Sequence, residues 1–147
     1  MPIELKILRN TAIVPKRMTK GSAGYDLYTT EDLSFGHNGC TLDARTGIAI
    51  HIGDHRYMGL MAPRSSLHKH NLELANTIGI IDSDYQGEIV VKLKYTGNTV
   101  YTLPQGTRVA QLIIVPICVP GFDELPEVVE FSASSDRGDG GFGSTGQ

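Results

Sequence analysis

Residues 80–95, IIDSDYQGEIVVKLKY, contain the pattern that decides the fold. From Ile89 to Tyr95 every second residue is apolar, and two lysines lie among the residues between them. A hydrophobic period of two predicts a β-strand with one face in the core and the other in water. The polar residues before this strand follow an apolar pair, so we interpret residues 80–88 as the tip and one arm of a β-hairpin.

Similar patterns occur on both sides of this stretch. Residues 3–7 and 48–52 alternate in the same way and predict half-buried strands, whereas residues 109–117 are almost continuously apolar and predict a strand buried on both faces. Only residues 65–74 could form a helix, and a short one. Short strands with frequent turns indicate an all-β sandwich or barrel. The turn signals are Asn38-Gly39, Gly53-Asp54, Gly97-Asn98, Pro104-Gln105-Gly106 and Pro120-Gly121.

The composition favours a single soluble domain. The chain has 147 residues, of which 40% are hydrophobic, and a formal net charge of −3. The sequence has no cluster of lysine and arginine that would indicate a nucleic-acid partner. No run approaches the roughly 18 apolar residues of a membrane span. The N-terminus lacks the basic and apolar parts of a secretion signal, and the two cysteines make no disulfide framework. We therefore expect a cytoplasmic protein with neither nucleic acid nor membrane as a partner.

The last part of the chain has a different composition. Residues 132–147 contain five glycines, a single aromatic residue, Phe142, and no aliphatic residue larger than alanine. We predict a core over residues 1–131 and a flexible arm over residues 132–147. Glycines allow backbone N–H groups to crowd around a phosphate, and Phe142 could stack on a base. A disordered, soluble tail is the alternative interpretation.

Two polar residues in the decisive stretch could carry chemistry. The Asp82 carboxylate could polarise a water molecule, and the Tyr85 ring could pack on a ligand. The alternative is an ordinary turn, because aspartate and glycine are common turn formers.

Other candidate residues lie on or beside predicted strands. Arg64, Ser65 and Ser66 offer a guanidinium, two hydroxyls and a helix N-terminus, which together suit phosphate; the alternative is a serine N-cap with a surface arginine. Gln111 lies inside an apolar run and needs a polar partner, which is more often nearby backbone than a ligand. Asp26 could face a metal or water, or lie at a strand end on the surface.

Five segments, in this order, resemble the five motifs of the trimeric dUTPases. They are residues 23–27, 63–66, 76–87, 106–112 and 137–146, and together they extend over residues 23–146. The spacing of IIDSDYQG and of RGDGGFGSTG is highly specific to that family.

The resemblance implies a fold and an activity. It implies a jelly-roll-like β-subunit, a homotrimer with three shared sites, and Mg²⁺ as cofactor. The implied reaction is hydrolysis of dUTP to dUMP and pyrophosphate, which limits uracil incorporation into DNA and supplies dUMP for thymidylate synthesis.

The resemblance also implies a role for each matching residue. Asp82 orients the attacking water, Tyr85 lies under the deoxyribose and excludes a 2′-hydroxyl, and Asp26 holds magnesium through water. Uracil is read by Asn76 and by backbone groups near Gly79 and Ile81. Residues implied in contacts with the phosphates or with uracil are Arg64, Ser65, Ser66, Gln111, Arg137, Phe142, Gly143, Ser144 and Thr145.

One departure and two rival functions stay open at this point. Ser66, followed by Leu67 and His68, stands where many members of the family have glycine, leucine and then alanine or glycine. The rivals are a dCTP deaminase, which uses a glutamate for base chemistry and lacks this tail, and a catalytically inactive relative that binds nucleotide.

Overall fold

The regular secondary structure is almost entirely antiparallel β-strand, which agrees with the predicted all-β class. The computed structural model describes residues 3–121, 123–141, 143 and 146. No helix in these ranges is long and apolar enough to cross a membrane. The strands are β1 (Glu4–Ile7), β2 (Tyr25–Tyr28), β3 (Leu33–Phe35), β4 (Thr41–His51), β5 (Tyr57–Ala62), β6 (Leu72–Leu74), β7 (Gly79–Ile81), β8 (Glu88–Tyr95), β9 (Tyr101–Leu103) and β10 (Arg108–Pro116), with one 3₁₀ helix at Leu67–His70.

Two four-stranded sheets form the body of the molecule. The first sheet has the order β1-β4-β8-β6, the second has the order β2-β10-β5-β7, and β3 pairs with β9 separately. The buried core takes side chains from both large sheets, including Ile48 and Val91 from the first, and Leu27 and Val109 from the second. The expected jelly-roll-like sandwich is confirmed.

Strand β8 alternates as its sequence predicts. Ile89, Val91, Leu93 and Tyr95 are all buried, and the residues between them are half-buried or exposed. Burying each such side chain contributes roughly 1.5–3 kcal/mol. This strand therefore fixes which face of the first sheet meets the core.

Residues 80–88 do not form the predicted β-hairpin. Strand β7 pairs with β5 in the second sheet, whereas β8 pairs with β4 and β6 in the first. Residues 82–87 are thus a connection between sheets, which we call the inter-sheet loop. The turn residues mark where the chain changes direction, but the strand partners are set by contacts distant in sequence.

Two of the other strand predictions need correction. β1 forms over Glu4–Ile7, but its side chains are exposed in the single chain rather than half-buried. β10 is buried only near its start, and Ile113, Ile114 and Val115 are half-buried. Both strands carry more apolar side chains than a single subunit buries.

A kink in β4 is closed by one carboxylate. From Arg45 to Ala49 the chain of β4 advances four residues, whereas the matching stretch of β8, from Val90 to Glu88, covers two, so β4 bulges there. Glu88 Oε1 accepts hydrogen bonds from the Gly47 backbone N at 3.0 Å and from Arg9 Nε at 3.1 Å, and its Oε2 accepts one from Arg45 Nη1 at 2.9 Å. The bulge, the N-terminal segment and the start of β8 meet at this side chain.

Gly47→Ala should destabilise the protein by about 2–5 kcal/mol. Gly47 has φ +68°, and an added Cβ would lie 2.9 Å from both Ala12 Cβ and Thr30 Cγ2. A left-handed alanine costs about 1–2 kcal/mol, and overpacking adds about 1–3 kcal/mol. Gly39→Ala is the matched control, because Gly39 has φ +84° and open space around it. Urea unfolding at one protein concentration measures both; equal losses would show that crowding at Gly47 is unimportant.

Glu88→Gln should weaken the fold in a pH-dependent way. Burial opposes ionisation of Glu88, but hydrogen bonds from Arg9, Arg45 and the Gly47 backbone outweigh it and lower its pKa below the ordinary 4.5. The ionised form therefore stabilises the fold above pH 4.5, and that contribution is lost as the pH falls toward the lowered pKa. We expect a loss of about 1–3 kcal/mol at pH 7, shrinking in urea titrations toward pH 3. A gap independent of pH would contradict this account.

Candidate active site

Five of the predicted site residues line one cavity beside the inter-sheet loop. The cavity has a volume of about 280 Å³, and we call it the loop pocket. The predicted residues in its wall are Asn76, Gly79, Ile81, Asp82 and Tyr85, and the others are Met61, Ile80, Glu88, Ile89 and Val90. The structure therefore brings together the whole set that the third motif predicted.

Close packing of β7 on β5 shapes one side of the loop pocket. Gly79 pairs with Met61, and a Cβ on Gly79 would lie 2.7 Å from the Met61 Cε atom. Only a glycine lets the two strands approach in this way without moving the methionine.

The inter-sheet loop is held from within and from outside. The Tyr85 backbone N donates to the Asp82 carbonyl at 3.1 Å, which closes a turn under the Asp82 side chain. From the neighbouring β4–β5 turn, the Gly53 backbone N donates to the Ser83 carbonyl at 3.0 Å. The Asp82 carboxylate itself is exposed, so water can reach it.

A second group of predicted residues surrounds a buried carboxylate. Asp26 is 8% exposed, and its two oxygens pair with Arg64 Nε at 2.8 Å and with Arg108 Nη1 at 3.3 Å. The strand register explains why these residues lie close together, because Gln111 of β10 pairs with Asp26 on one side and with Ala62 on the other. We call Asp26, Arg64, Arg108 and Gln111 the guanidinium cluster.

Arg108 was missed in the sequence analysis. It stands at the first position of β10, where the apolar run begins, and its guanidinium reaches Asp26 on the adjacent strand. The available signal was a lone cation at the entry of an apolar strand. Its ion pair with β2 could not be predicted without the register.

Gln111 finds a backbone partner, as the ordinary interpretation holds. Its Nε2 donates to the Pro63 carbonyl at 3.0 Å, immediately before Arg64. A Cβ on Gly24 would lie 3.1 Å from Gln111 Oε1, so the glycine makes room for this amide. Gln111 thus fixes the backbone that carries the arginine.

The helix that follows Arg64 is only one turn long. It covers Leu67–His70 and is 3₁₀ in type; Ser66 occupies its N-cap position without a side-chain capping bond. A single turn has a small dipole, so the predicted contribution of a helix N-terminus to phosphate binding is weak here. The hydroxyls of Ser65 and Ser66 remain the donors available beside Arg64.

The loop pocket and the guanidinium cluster lie apart on the second sheet. Strand β5 separates β7 from β10, so the two flanking strands are about 10 Å apart. Gln111 is level with Ala62, whereas Ile81 is level with Gly59, which places Asp82 roughly 13 Å further along the strand direction. Within the described ranges, no hydrogen bond or ion pair connects the Asp82 side chain to the guanidinium cluster.

The described part of the tail makes local hydrogen bonds. Gly140 N donates to the Arg137 carbonyl at 3.1 Å, and Gly143 has φ +87°. Of the residues that the structure describes, none pairs with the Arg137 side chain in an ion pair. Phe142, Ser144 and Thr145, which the fifth motif also implies, lie outside the described residues.

One carboxylate is available for a metal at the guanidinium cluster. Each Asp26 oxygen accepts one guanidinium contact and retains a second lone pair, which can accept from metal-bound water. Magnesium commonly keeps several waters and uses one or two carboxylates together with substrate phosphates. Asp26 therefore fits an outer position toward a hydrated ion. Among residues 3–121, 123–141, 143 and 146, no three acidic, histidine or cysteine side chains form a metal-binding group.

Comparison with known proteins gives one consistent result. The family model described as dUTPase matches residues 10–146. A deoxyuridine 5′-triphosphate nucleotidohydrolase of Bordetella pertussis is 46% identical over 149 residues, covering 99% of this chain and 97% of the relative. The enzyme of the same name from Acinetobacter baylyi is 41% identical, covering 100% and 99%.

Solved structures agree with the sequence comparison. The dUTPase of Staphylococcus bacteriophage 80alpha, solved with dUPNHPP, superposes with a TM-score of 0.86 at 29% identity over 99% of both chains. A dUTPase variant from phage phi11 of S. aureus, described as showing how a structural Mg(II) ion is coordinated, has a TM-score of 0.80 at 25% identity, over 90% of this chain and 100% of that one. By sequence and by fold, this chain belongs to the dUTPase family.

Proposed function

We propose that this protein hydrolyses dUTP to dUMP and pyrophosphate. The observation that carries the proposal is the loop pocket, where Asp82 and Tyr85 stand on a cavity whose wall also includes Asn76, Gly79 and Ile81. A hydrolase for a nucleotide needs a recess for the base and sugar, with a proton acceptor at its edge. The loop pocket supplies both.

The nucleoside would occupy the loop pocket. The edge of uracil carries donors and acceptors, which the Asn76 amide and the backbone near Gly79 and Ile81 can satisfy. Tyr85 is 46% exposed, so part of its side chain is free to meet a sugar. A ring pressed against the deoxyribose would leave no room for a 2′-hydroxyl.

The triphosphate would be held by the residues of the guanidinium cluster. Arg64 and Arg108 supply positive charge, and the hydroxyls of Ser65 and Ser66 supply further donors. An incoming triphosphate competes with Asp26 for Arg64, which frees carboxylate lone pairs for water. Mg²⁺ held there with the triphosphate would neutralise part of its negative charge.

Asp82 is proposed to act on the attacking water. Its carboxylate accepts a proton as the water oxygen bonds to the α-phosphorus, and the α–β phosphoanhydride bond breaks with pyrophosphate as the leaving group. The product is dUMP, which retains the new oxygen. Arg64 and Arg137 would stabilise negative charge on the phosphate oxygens.

We infer that the complete site requires a homotrimer. The loop pocket and the guanidinium cluster of one chain lie on opposite sides of β5, and no hydrogen bond or ion pair joins the described residues of the tail to either. A closed threefold ring repeats each head-to-tail contact and can join the pocket of one subunit to the cluster of the next. The arm over residues 132–147 could extend up to roughly 50 Å, enough to close over the site of a neighbour.

Replacing Asp82 by asparagine should lower kcat by about 10²–10⁴ while leaving nucleotide affinity nearly unchanged. Loss of a general base typically has this effect. Asp84→Asn is the matched control, since Asp84 is an exposed carboxylate in the same loop and lies outside the loop pocket. Pyrophosphate release from dUTP and the other dNTPs measures turnover, and ammonia release from dCTP tests a deaminase activity. Equal loss in the two variants, or near-normal turnover of Asp82→Asn, would overturn the role of Asp82.

Mixing two inactive variants tests whether the sites are shared. One variant carries Asp82→Asn and the other lacks residues 132–147; each should be nearly inactive alone. After joint unfolding and refolding at equal amounts, about three quarters of trimers are hybrid, and each hybrid has one intact site if loop and tail come from different subunits. About a quarter of wild-type activity should then return. No recovery at any ratio would place loop and tail of each site in one chain.

A further inference from the structure

The sequence contains the pattern tyrosine, any residue, glycine three times, beginning at Tyr57, Tyr85 and Tyr95, and the last two copies adopt one geometry. In the first copy a Cβ on Gly59 would meet Ile81 and Leu112 instead of the tyrosine ring. In Tyr85-Gln86-Gly87, a Cβ on the glycine would lie 2.4 Å from the tyrosine Oη and 2.6 Å from its Cζ atom. In Tyr95-Thr96-Gly97, the corresponding distances are 2.2 Å and 2.4 Å. Each ring therefore lies over the bare Cα of the glycine two residues later, at a place where any larger residue would push it away.

Both rings are also fixed at the hydroxyl end. Tyr85 Oη donates to the Glu88 carbonyl at 3.1 Å, and Tyr95 Oη donates to the Thr99 carbonyl at 2.7 Å. A ring supported beneath by a glycine and tied at its hydroxyl has little freedom to tilt.

The last two copies differ in what surrounds the ring. Tyr95 is 2% exposed and packs on Phe35 and Tyr101, with ring centroids at 5.5 and 5.8 Å. Packing in the core is enough to explain the position of the Tyr95 ring. Tyr85 is on the surface and lines the loop pocket, so protein packing leaves much of its ring uncovered.

The backbone that receives the Tyr85 hydroxyl is itself clamped. Glu88, whose side chain is 15% exposed, is held by Arg9, Arg45 and the backbone N of Gly47. The hydrogen bond from the Tyr85 hydroxyl thus connects the ring, through Glu88, to the bulge of β4. These contacts of Glu88 fix the position of the exposed Tyr85 ring, whereas packing in the core fixes the Tyr95 ring.

We propose that Gly87 and Glu88 are positioning residues that set the height and tilt of the Tyr85 ring, and through it the discrimination between deoxyribose and ribose. The inference rests on the proposed function. Exclusion of one hydroxyl depends on the distance between ring and sugar, and a displacement of about 1 Å in a positioned group can change rates by about 10²-fold. Gly87 is not among the residues that line the loop pocket. Glu88 is part of its wall, and the Glu88 carboxylate is bound to Arg9, Arg45 and the Gly47 backbone N.

The first test compares Gly87→Ala with Gly97→Ala. We expect Gly87→Ala to lower the ratio of kcat/KM for dUTP to kcat/KM for UTP by about tenfold or more, within the range of single pocket contacts. Gly97→Ala introduces the same clash in the core, so it should lower the melting temperature and leave that ratio unchanged. An unchanged ratio in Gly87→Ala, or an equal change in both variants, would overturn the proposal.

The second test asks whether the two residues act through Tyr85. Glu88→Ala should lower the dUTP/UTP ratio, and Glu88→Gln, which keeps one acceptor oxygen for the clamp, should restore part of it. In a Tyr85→Ala background, neither Gly87→Ala nor Glu88→Ala should change the ratio further, because the ring they position is absent. Additive effects in that background would show a general structural role. The Glu88 variants give the same answer if Gly87→Ala does not fold.

Failure of the inference differs from failure of the proposed function. A wild-type protein that releases no pyrophosphate from dUTP would refute the proposed function. A wild-type protein that hydrolyses dUTP, with variants that keep its preference over UTP, would refute only the positioning role of Gly87 and Glu88.

Discussion

The pairing of β4 with β8 is the interaction on which the rest of the structure depends. From Thr41 to Arg45 the register is regular, and it then slips at the bulge before resuming at Ala49 and Glu88. The slip directs the backbone N of Gly47 at the Glu88 carboxylate, which would otherwise be a partly buried charge with too few partners. Because β8 begins at Glu88, the same contact fixes the place where the inter-sheet loop ends. The geometry of the loop pocket therefore starts from a register shift in the first sheet.

Much of the fold could be predicted from periodicity. The alternation in β8 and the turn signals depend on local rules, and the structure follows them at these places. The hairpin over residues 80–88 was wrong because a turn does not specify its strand partners. Strand β7 chooses β5 through contacts that are distant in sequence, including the bare Cα of Gly79 against Met61. Local chemistry predicted where the chain turns, and tertiary packing decided what it joins.

The sequence predicted which residues belong to the candidate site better than it predicted how they are arranged in space. The third motif gave the lining of the loop pocket, because residues close in sequence stay close across one short loop. Arg108 escaped because its partner, Asp26, is on another strand, and only the register of β2 against β10 brings the two together. The same limit explains why the exposure of β1 was unexpected. Alternation predicts a buried face, but it does not say whether the cover comes from the same chain. Beyond β10 the side chain of Phe131 is 89% exposed, and the strands leave it uncovered.

The pair of Asp26 and Arg64 has a consequence for the entropy of binding. A free arginine side chain samples many rotamers, and fixing it at an interface costs roughly 0.5–1.5 kcal/mol. Here the buried carboxylate and the Pro63 carbonyl held by Gln111 restrain Arg64 before any ligand arrives. Much of that conformational freedom is thus lost when the protein folds, not when an anion binds. A polyphosphate would exchange one set of partners for another around a guanidinium already in place. In a chain whose net charge is −3, a preorganised guanidinium at a single position matters more for anion binding than long-range electrostatic attraction.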